Sequence, residues 1–293
     1  MSKVYVFGSL NMDLVIQSPR EVLQGETLHG SGFMTNPGGK GANQAVACGK
    51  LGADCVMGGC IGDDGFGDRL TESLRSCGTD TSRLRRIPGV STGVAVIVIV
   101  DHDNRIILDS GANGMAEEGD VDRLLADARP GDLLLVQLEN PIPVVGYALR
   151  QAREKGMTTV LNPAPFDKAI CEFLPFVDIV IPNETELRGL TGCECICEGA
   201  KALQAQGVAS VVVTLGSKGY CCVSAGELLH EEAIKRTVVD TTAAGDTFCG
   251  ALATRLSKGD TLAAALRYAN RAASVTVTRP GAQQAIPWAN EVD

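Results

Sequence analysis

Short apolar runs alternate along this chain with stretches in which apolar residues recur every fourth position. The runs at 4–8, 55–60, 133–138, 158–161, 177–181 and 211–215 have strand length and are almost continuously apolar, as strands covered on both faces are. Between them Phe66, Leu70 and Leu74 repeat at i, i+4 and i+8, and so do Phe248, Leu252 and Leu256, the spacing of one helix face. Residues 120–128, 143–155 and 198–206 read as further helices. Strand and helix in alternation predict an α/β fold, with a mostly parallel, doubly wound sheet flanked by helices.

Two regions break the rhythm. Residues 14–35 carry no helical period. Residues 93–110 read as a hairpin, with strands at 94–100 and 105–108 joined by Asp101, His102, Asp103 and Asn104. Strands with no helix to cover them belong to a small β-sheet, read here as a lid over a pocket within one domain spanning 1–293. The alternative is a pair of edge strands on the main sheet. A bare β face calls for a cover, and a second copy of the lid is the simplest one. A homodimer is expected.

Composition narrows the classes. The chain has 293 residues, 45% of them hydrophobic, and a net charge of −9, so a large core is available and no basic surface for nucleic acid is expected. The densest basic patch, Arg83, Arg85 and Arg86, reads as a solvated face. No apolar stretch approaches the roughly 20 residues of a membrane span, and residues 4–7 begin a strand without a cleavable leader ahead of them, so a cytoplasmic protein is expected. The eleven cysteines are odd in number and scattered, as reduced thiols acting as small hydrophobes would be. Cys193, Cys195 and Cys197 could hold a soft metal, but no second pair or histidine lies near them, and a variable loop is the simpler reading.

Two glycine-centred clusters carry the candidate chemistry: Asn36-Pro37-Gly38-Gly39-Lys40-Gly41-Ala42-Asn43-Gln44 and Asp240-Thr241-Thr242-Ala243-Ala244-Gly245-Asp246-Thr247-Phe248. Each places small residues before a helical stretch, where free N–H groups can receive an anion. In the second, the amides of Ala243, Ala244, Gly245 and Asp246 are expected to form an anion hole, and the helix dipole adds about 0.3–1 kcal/mol there. Asp246 fits a general base that takes a hydroxyl proton during phosphoryl transfer; the alternative is a first-turn acid capping its helix. In the first cluster, Lys40 and Asn43 suit hydroxyls and a phosphate. Asn11 and Asp13 follow the first strand and point the same way if extended, which makes them a sugar-hydroxyl clamp. Glu139 follows another strand. No Walker motif and no dinucleotide fingerprint occurs, and His29, His102 and His230 lie far apart and read as surface residues.

These motifs, with Gln137-Leu138-Glu139, Asn162-Pro163-Ala164-Pro165, Pro182-Asn183-Glu184-Thr185-Glu186 and Thr214-Leu215-Gly216-Ser217-Lys218-Gly219, resemble the ribokinase family of carbohydrate kinases, also called the phosphofructokinase-B group, nearly from end to end. The resemblance implies an ATP-dependent kinase acting on the 5-hydroxyl of a pentose, with D-ribose expected. A kinase for 2-deoxyribose, another small sugar or adenosine, and a catalytically silent sugar-binding regulator, are the alternatives. It implies sugar contacts from Asn11, Asp13, Gly39, Lys40, Asn43 and Glu139, and nucleotide contacts from Asn183, Glu186, Thr214, Gly216, Ser217, Gly219 and Asn270. Magnesium would come with ATP and meet Glu186 through water or phosphate. A monovalent cation, potassium, would sit by Asp240, Thr242, Thr276, Arg279 and Gly281. Ala285 stands where the family often has serine, Asn270 where some members have histidine, and Met12 and the Cys193–Cys197 stretch also depart from the pattern.

Overall fold

In this computed structural model, which describes residues 2–101 and 103–292, strand β1 (Val4–Phe7) lies inside a nine-stranded sheet. Its side chains divide by parity: Val4 and Val6 enter one apolar cluster, Tyr5 and Phe7 the other. Leu133 and Leu135 of β8 (Leu133–Val136) join the first, Leu134 and Val136 the second. Both faces are therefore core, which is why these runs are apolar without alternation. The first face is covered by α1 (Lys40–Lys50), α2 (Gly65–Ser76), α7 (Ala244–Ser257) and α8 (Leu262–Thr276). The second is covered by α3 (Glu118–Leu124), α4 (Ile142–Glu154), α5 (Glu184–Thr191) and α6 (Ile196–Ala205).

The strand order sets the position of the site. Across the sheet run β13 (Glu227–Glu231), β12 (Tyr220–Ser224), β11 (Ser210–Thr214), β10 (Ile179–Val180), β9 (Thr158–Leu161), β8, β1, β4 (Cys55–Gly62) and β5 (Asp80–Ile87). Pairs from β11 to β5 are parallel, and β11–β12–β13 are antiparallel. The chain goes from β1 towards β4 and β5, then returns to the other side of β1 for β8 and its successors. Connections thus leave β1 and β8 in opposite directions, and a crevice opens at their carboxyl ends.

A second, four-stranded sheet has the order β3 (Ser31–Gly38), β2 (Asn11–Gln17), β6 (Gly93–Val100), β7 (Asp103–Asp109). It is separate from the main sheet, so the edge-strand alternative fails. The 93–110 hairpin is present as β6 and β7, paired antiparallel; His102 of its turn lies outside the described residues. The expected boundary at 14 is corrected: β2 begins at Asn11, because Asn11 and Asp13 pair with Gly38 and Asn36 of β3 and with Gly93 and Ala95 of β6.

Other expectations shift too. Only two residues of 177–181 pair as a strand. Strand β5 was hidden by its charges, and α5, α8, β12 and β13 were not anticipated. The basic patch is not simply a solvated face. Arg85 forms two hydrogen bonds to Asp120 of α3, at 2.7 and 2.8 Å, and Arg123 adds a third at 2.8 Å. Asp120 is wholly buried, so β5 is riveted to the helix that covers it.

Candidate active site

The crevice between β1 and β8 gathers residues from both strand ends. Ser9 donates to Glu139 Oε2 at 2.5 Å, the Lys40 amide donates to the same oxygen at 3.2 Å, and Asn11 Nδ2 does so at 3.3 Å. Asn11 is oriented from behind by Asn113, whose Nδ2 donates to Asn11 Oδ1 at 2.7 Å. Gly39 caps α1 with φ of 90°, a left-handed conformation that favours glycine. A Cβ there would lie 2.6 Å from the Asn11 amide nitrogen, and one on Gly38 would lie 2.4 Å from Asp13 Oδ2. The two glycines let the first cluster fold down onto Asn11 and Asp13.

The second cluster arrives from α7. Its N-cap, Ala243, has φ of 59°, an uncommon and costly conformation for a residue with a side chain. This bend delivers Asp246 to α1. Asn43 Nδ2 donates to Asp246 Oδ2 at 3.0 Å and Gln44 Nε2 donates to Oδ1 at 3.0 Å. The expected anion hole needs one correction: the Ala244 amide is used, donating to the Thr241 carbonyl at 3.2 Å. The amides of Ala243, Gly245 and Asp246 have no partner among the described residues. Helices α1 and α7 come this close because Gly250 lies at their crossing, where a Cβ would be 2.6 Å from Ala47 Cβ and 2.7 Å from the Gln44 carbonyl oxygen.

Charge is concentrated here. Burial, then Glu139 and Asp246, push the Asp13 carboxyl up to about 7. Burial works against the charge on Lys40, but Asp246, Glu139 and Glu186 outweigh it and raise its pKa, so the ammonium stays charged among three carboxylates. Burial also raises the Glu186 carboxyl, against the Asn183 amide and Lys40. An assembly of acids around one lysine suits a ligand that brings hydroxyl donors and cations.

Beside it, Asn183, Thr214, Gly216, Ser217, Gly219, Ala244, Gly245 and Asn270 line a cavity of about 580 Å³. A single parallel bridge joins Asn183 to Thr214, which brings two of the expected nucleotide elements side by side. Asn183 and Glu186 form a reciprocal cap on α5: the Asn183 amide donates to Glu186 Oε2, and the Glu186 amide to Asn183 Oδ1, each at 2.8 Å. Asn270 is turned by its own bond to the Glu232 carbonyl, at 2.9 Å. A second cavity, about 560 Å³, lies between Asp13, Asn36 and Ile97 of the small sheet and Asp240, Thr242 and Gly281.

The residues expected around a monovalent cation converge only in part. Asp240 accepts from the Thr242 amide and hydroxyl at 2.9 and 2.7 Å and from the Gly281 amide at 2.8 Å. Burial raises its carboxyl, but these bonds hold it below the usual range. The Thr276 hydroxyl turns to Thr247 at 3.0 Å, and Arg279 is paired with Glu291, so those two could offer a cation only their carbonyl oxygens. Ala285 is wholly buried and has no hydroxyl to give. No group of three or more His, Cys, Asp or Glu side chains, Cys193, Cys195 and Cys197 included, forms a metal cluster among the described residues.

Sequence reasoning assigned no role to Ser9, Gln44, Asn113 or Gln137. Gln44 and Gln137 stood inside quoted motifs, but a buried amide carries no periodic signature. Their role is visible only as hydrogen bonds across the sheet.

Residues 1–289 match the pfkB family carbohydrate kinase profile. The chain is 38% identical to a ribokinase of Haemophilus influenzae over 98% of its own length and 95% of the relative's. It is 34% identical to a deoxyribokinase of Salmonella typhi, over 97% and 95% of the two chains. The structure of Arabidopsis thaliana ribokinase complexed with ribose and ATP superposes with a TM-score of 0.90 at 32% identity, covering 100% of this chain and 98% of that one.

Proposed function

The chain belongs to the pfkB family of carbohydrate kinases, and on that footing we propose that it transfers the γ-phosphoryl group of ATP to the 5-hydroxyl of D-ribose. The observation that carries the reading is Asp246: it is 8% exposed, sits at the mouth of α7, is held by two α1 amides, and has three unused backbone amides around it. Similarity to ribokinases over nearly the whole chain supports ribose. Asn11, Asp13, Gly39, Lys40, Asn43 and Glu139 would hold the sugar under the small sheet, which acts as a lid within one domain and excludes water. Asp246 would take the hydroxyl proton while the amides of Ala243, Gly245 and Asp246 steady the charge on the moving phosphoryl group.

The cavity beside α5 would take the nucleotide. Magnesium would sit beside that cavity at Glu186, which is bonded to Asn183 of the lining and feels the charges of Lys40 and Asp246; a hard cation carrying waters and phosphate oxygens needs few protein ligands. When bound, it neutralises phosphate charge. Potassium would sit at the Asp240–Thr242–Gly281 loop, where a carboxylate adjoins backbone carbonyls. A pair of lids would form the homodimer, and eleven cysteines without a disulfide fit a reducing cytoplasmic setting.

The likeness to a deoxyribokinase favours 2-deoxyribose as the second reading, since a single hydroxyl shifts preference by only about 1–3 kcal/mol. A silent regulator would have had no need to keep Asp246, Gly245, Asn183 and Glu186. The test is ADP release from MgATP with pentoses, 2-deoxyribose, hexoses and nucleosides, in potassium and in sodium. Ribose is expected to give the highest kcat/KM, with potassium above sodium. A preference for 2-deoxyribose would replace the substrate assignment, and equal rates in the two salts would remove the potassium site.

A further inference from the structure

The amides behind Asp246 have only one consistent orientation. Asn162, after β9, donates through Nδ2 to the Ile181 carbonyl at 3.0 Å, so its Oδ1 accepts. Gln44 Nε2 donates to that Oδ1 at 3.1 Å and to Asp246 Oδ1 at 3.0 Å, which uses both amide hydrogens. Gln44 Oε1 then accepts from Gln137 Nε2 at 2.6 Å. Gln44 is 0% exposed and Gln137 1%, and α1, α7, β9 and the end of β8 all hold this chain of bonds. On the other side of the carboxylate, Asn43 donates to Oδ2 while its own Oδ1 is buried without a partner among the described residues. The two oxygens of Asp246 are not equivalent: one is tied into the core, and the other lies next to a spare acceptor.

We propose that Gln44 is a positioning residue for phosphoryl transfer, anchoring Asp246 through Oδ1 so that Oδ2 takes the proton of the acceptor hydroxyl. The proposal rests on reading Asp246 as the base. The hydroxyl oxygen bonds to the γ-phosphorus, the bond from that phosphorus to the bridging oxygen breaks, ADP leaves with the electron pair, and the proton passes to Oδ2. Without the Gln44 anchor the carboxylate would turn about its own axis and lose alignment with the hydroxyl. The charged and titratable groups facing Asp246 are Lys40 of α1, Asp13 of β2, Glu186 of α5 and Cys249 of α7 itself.

The test compares Gln44→Met, which keeps length and removes the donor, with Gln44→Glu, which keeps an acceptor for Gln137 but sets a second carboxylate against Asp246. Melting temperature, ADP binding and ribose binding are followed in each. Gln44→Met is expected to lower kcat about 10–100-fold with little change in sugar KM, the usual consequence of a misaligned group. Gln44→Glu is expected to move the acid limb of the kcat profile up by about one pH unit or more, because like charges raise a carboxyl pKa. Gln137→Met leaves Gln44 in place with one anchor fewer and should give a smaller fall in kcat of the same kind. If Gln44→Met does not fold, the other two variants decide. A lower melting temperature with normal kcat and a normal pH limb overturns the proposal. Asp246→Asn is measured alongside: if it is inactive while the Gln44 variants are normal, only the role of Gln44 falls, whereas an active Asp246→Asn removes the base itself.

Discussion

Asp13 is the residue whose charge is least comfortable. Its carboxyl is raised from the ordinary 3.8 to about 7 by burial and by Glu139 and Asp246. The ligand-free enzyme therefore holds it protonated below about 7 and ionised above. On the proposed sugar contact, hydroxyls donate to the ionised form, so kcat/KM for the sugar should rise with pH through about 7 and then level. Asp13→Asn should abolish that limb and raise sugar KM about 10–100-fold, as loss of hydrogen bonds to a charged group does; a limb that survives in the variant would clear Asp13 of the effect. The same shift acts on stability. Because the folded pKa lies above the unfolded one, the stabilising contribution present below about 3.8 is lost as pH rises through 7. Asp13→Asn should accordingly raise the melting temperature more at pH 8 than at pH 5. At this scale the sequence marked two positions beside glycine, Lys40 and Asp246, that the fold brings into one crevice. It was silent at Gln44 and Asn113, whose meaning depends on partners 202 and 102 residues away.

Among the elements, β5 and α3 show why a charged strand is hard to foresee. Its arginines suggested solvent, yet Arg85 and Arg123 neutralise an Asp120 that no water reaches. Removing Arg85 leaves the buried carboxylate with Arg123 and the Glu117 amide among its remaining partners, so Arg85→Ala is expected to cost about 1–3 kcal/mol, measured by urea unfolding. A loss below 1 kcal/mol would mean that Arg123 alone suffices. The crossing of α1 and α7 makes the opposite kind of demand, for absence of atoms. Gly250→Ala should push the helices apart, cost about 1–3 kcal/mol, and lower kcat more than sugar KM, because Gln44 and Asn43 would lose reach to Asp246. Unaltered kcat would show that the pair tolerates the added methyl. Periodicity pointed to α2 and α7; α8 and α5 went unread although each has an apolar face, because alanine fills most of the first and the second is only 8 residues long.

For the whole molecule, the parallel sheet was readable because two-sided burial leaves continuous apolar strands, and the small sheet because its strands had no helix between them. Its extent was misjudged because Asn11 and Asp13 are polar for the site's sake while pairing as strand residues. On that sheet Phe33, Ile106 and Ile107 are 66%, 56% and 70% exposed. Light scattering at micromolar concentration should give twice the chain mass, and Ile107→Glu should halve it; a wild-type monomer would retire the lid dimer. The crevice itself has a consequence for synthesis. Its pieces come from 9–13, 38–44, 137–139, 183–186 and 240–246, with β1 third from the β5 edge of the sheet. A chain emerging from the ribosome thus completes most of its sheet before the α7 turn exists to meet α1. Until then the growing polypeptide can encounter nucleotide without cleaving it, and the enzyme becomes competent only once residues 240–257 have been made and folded.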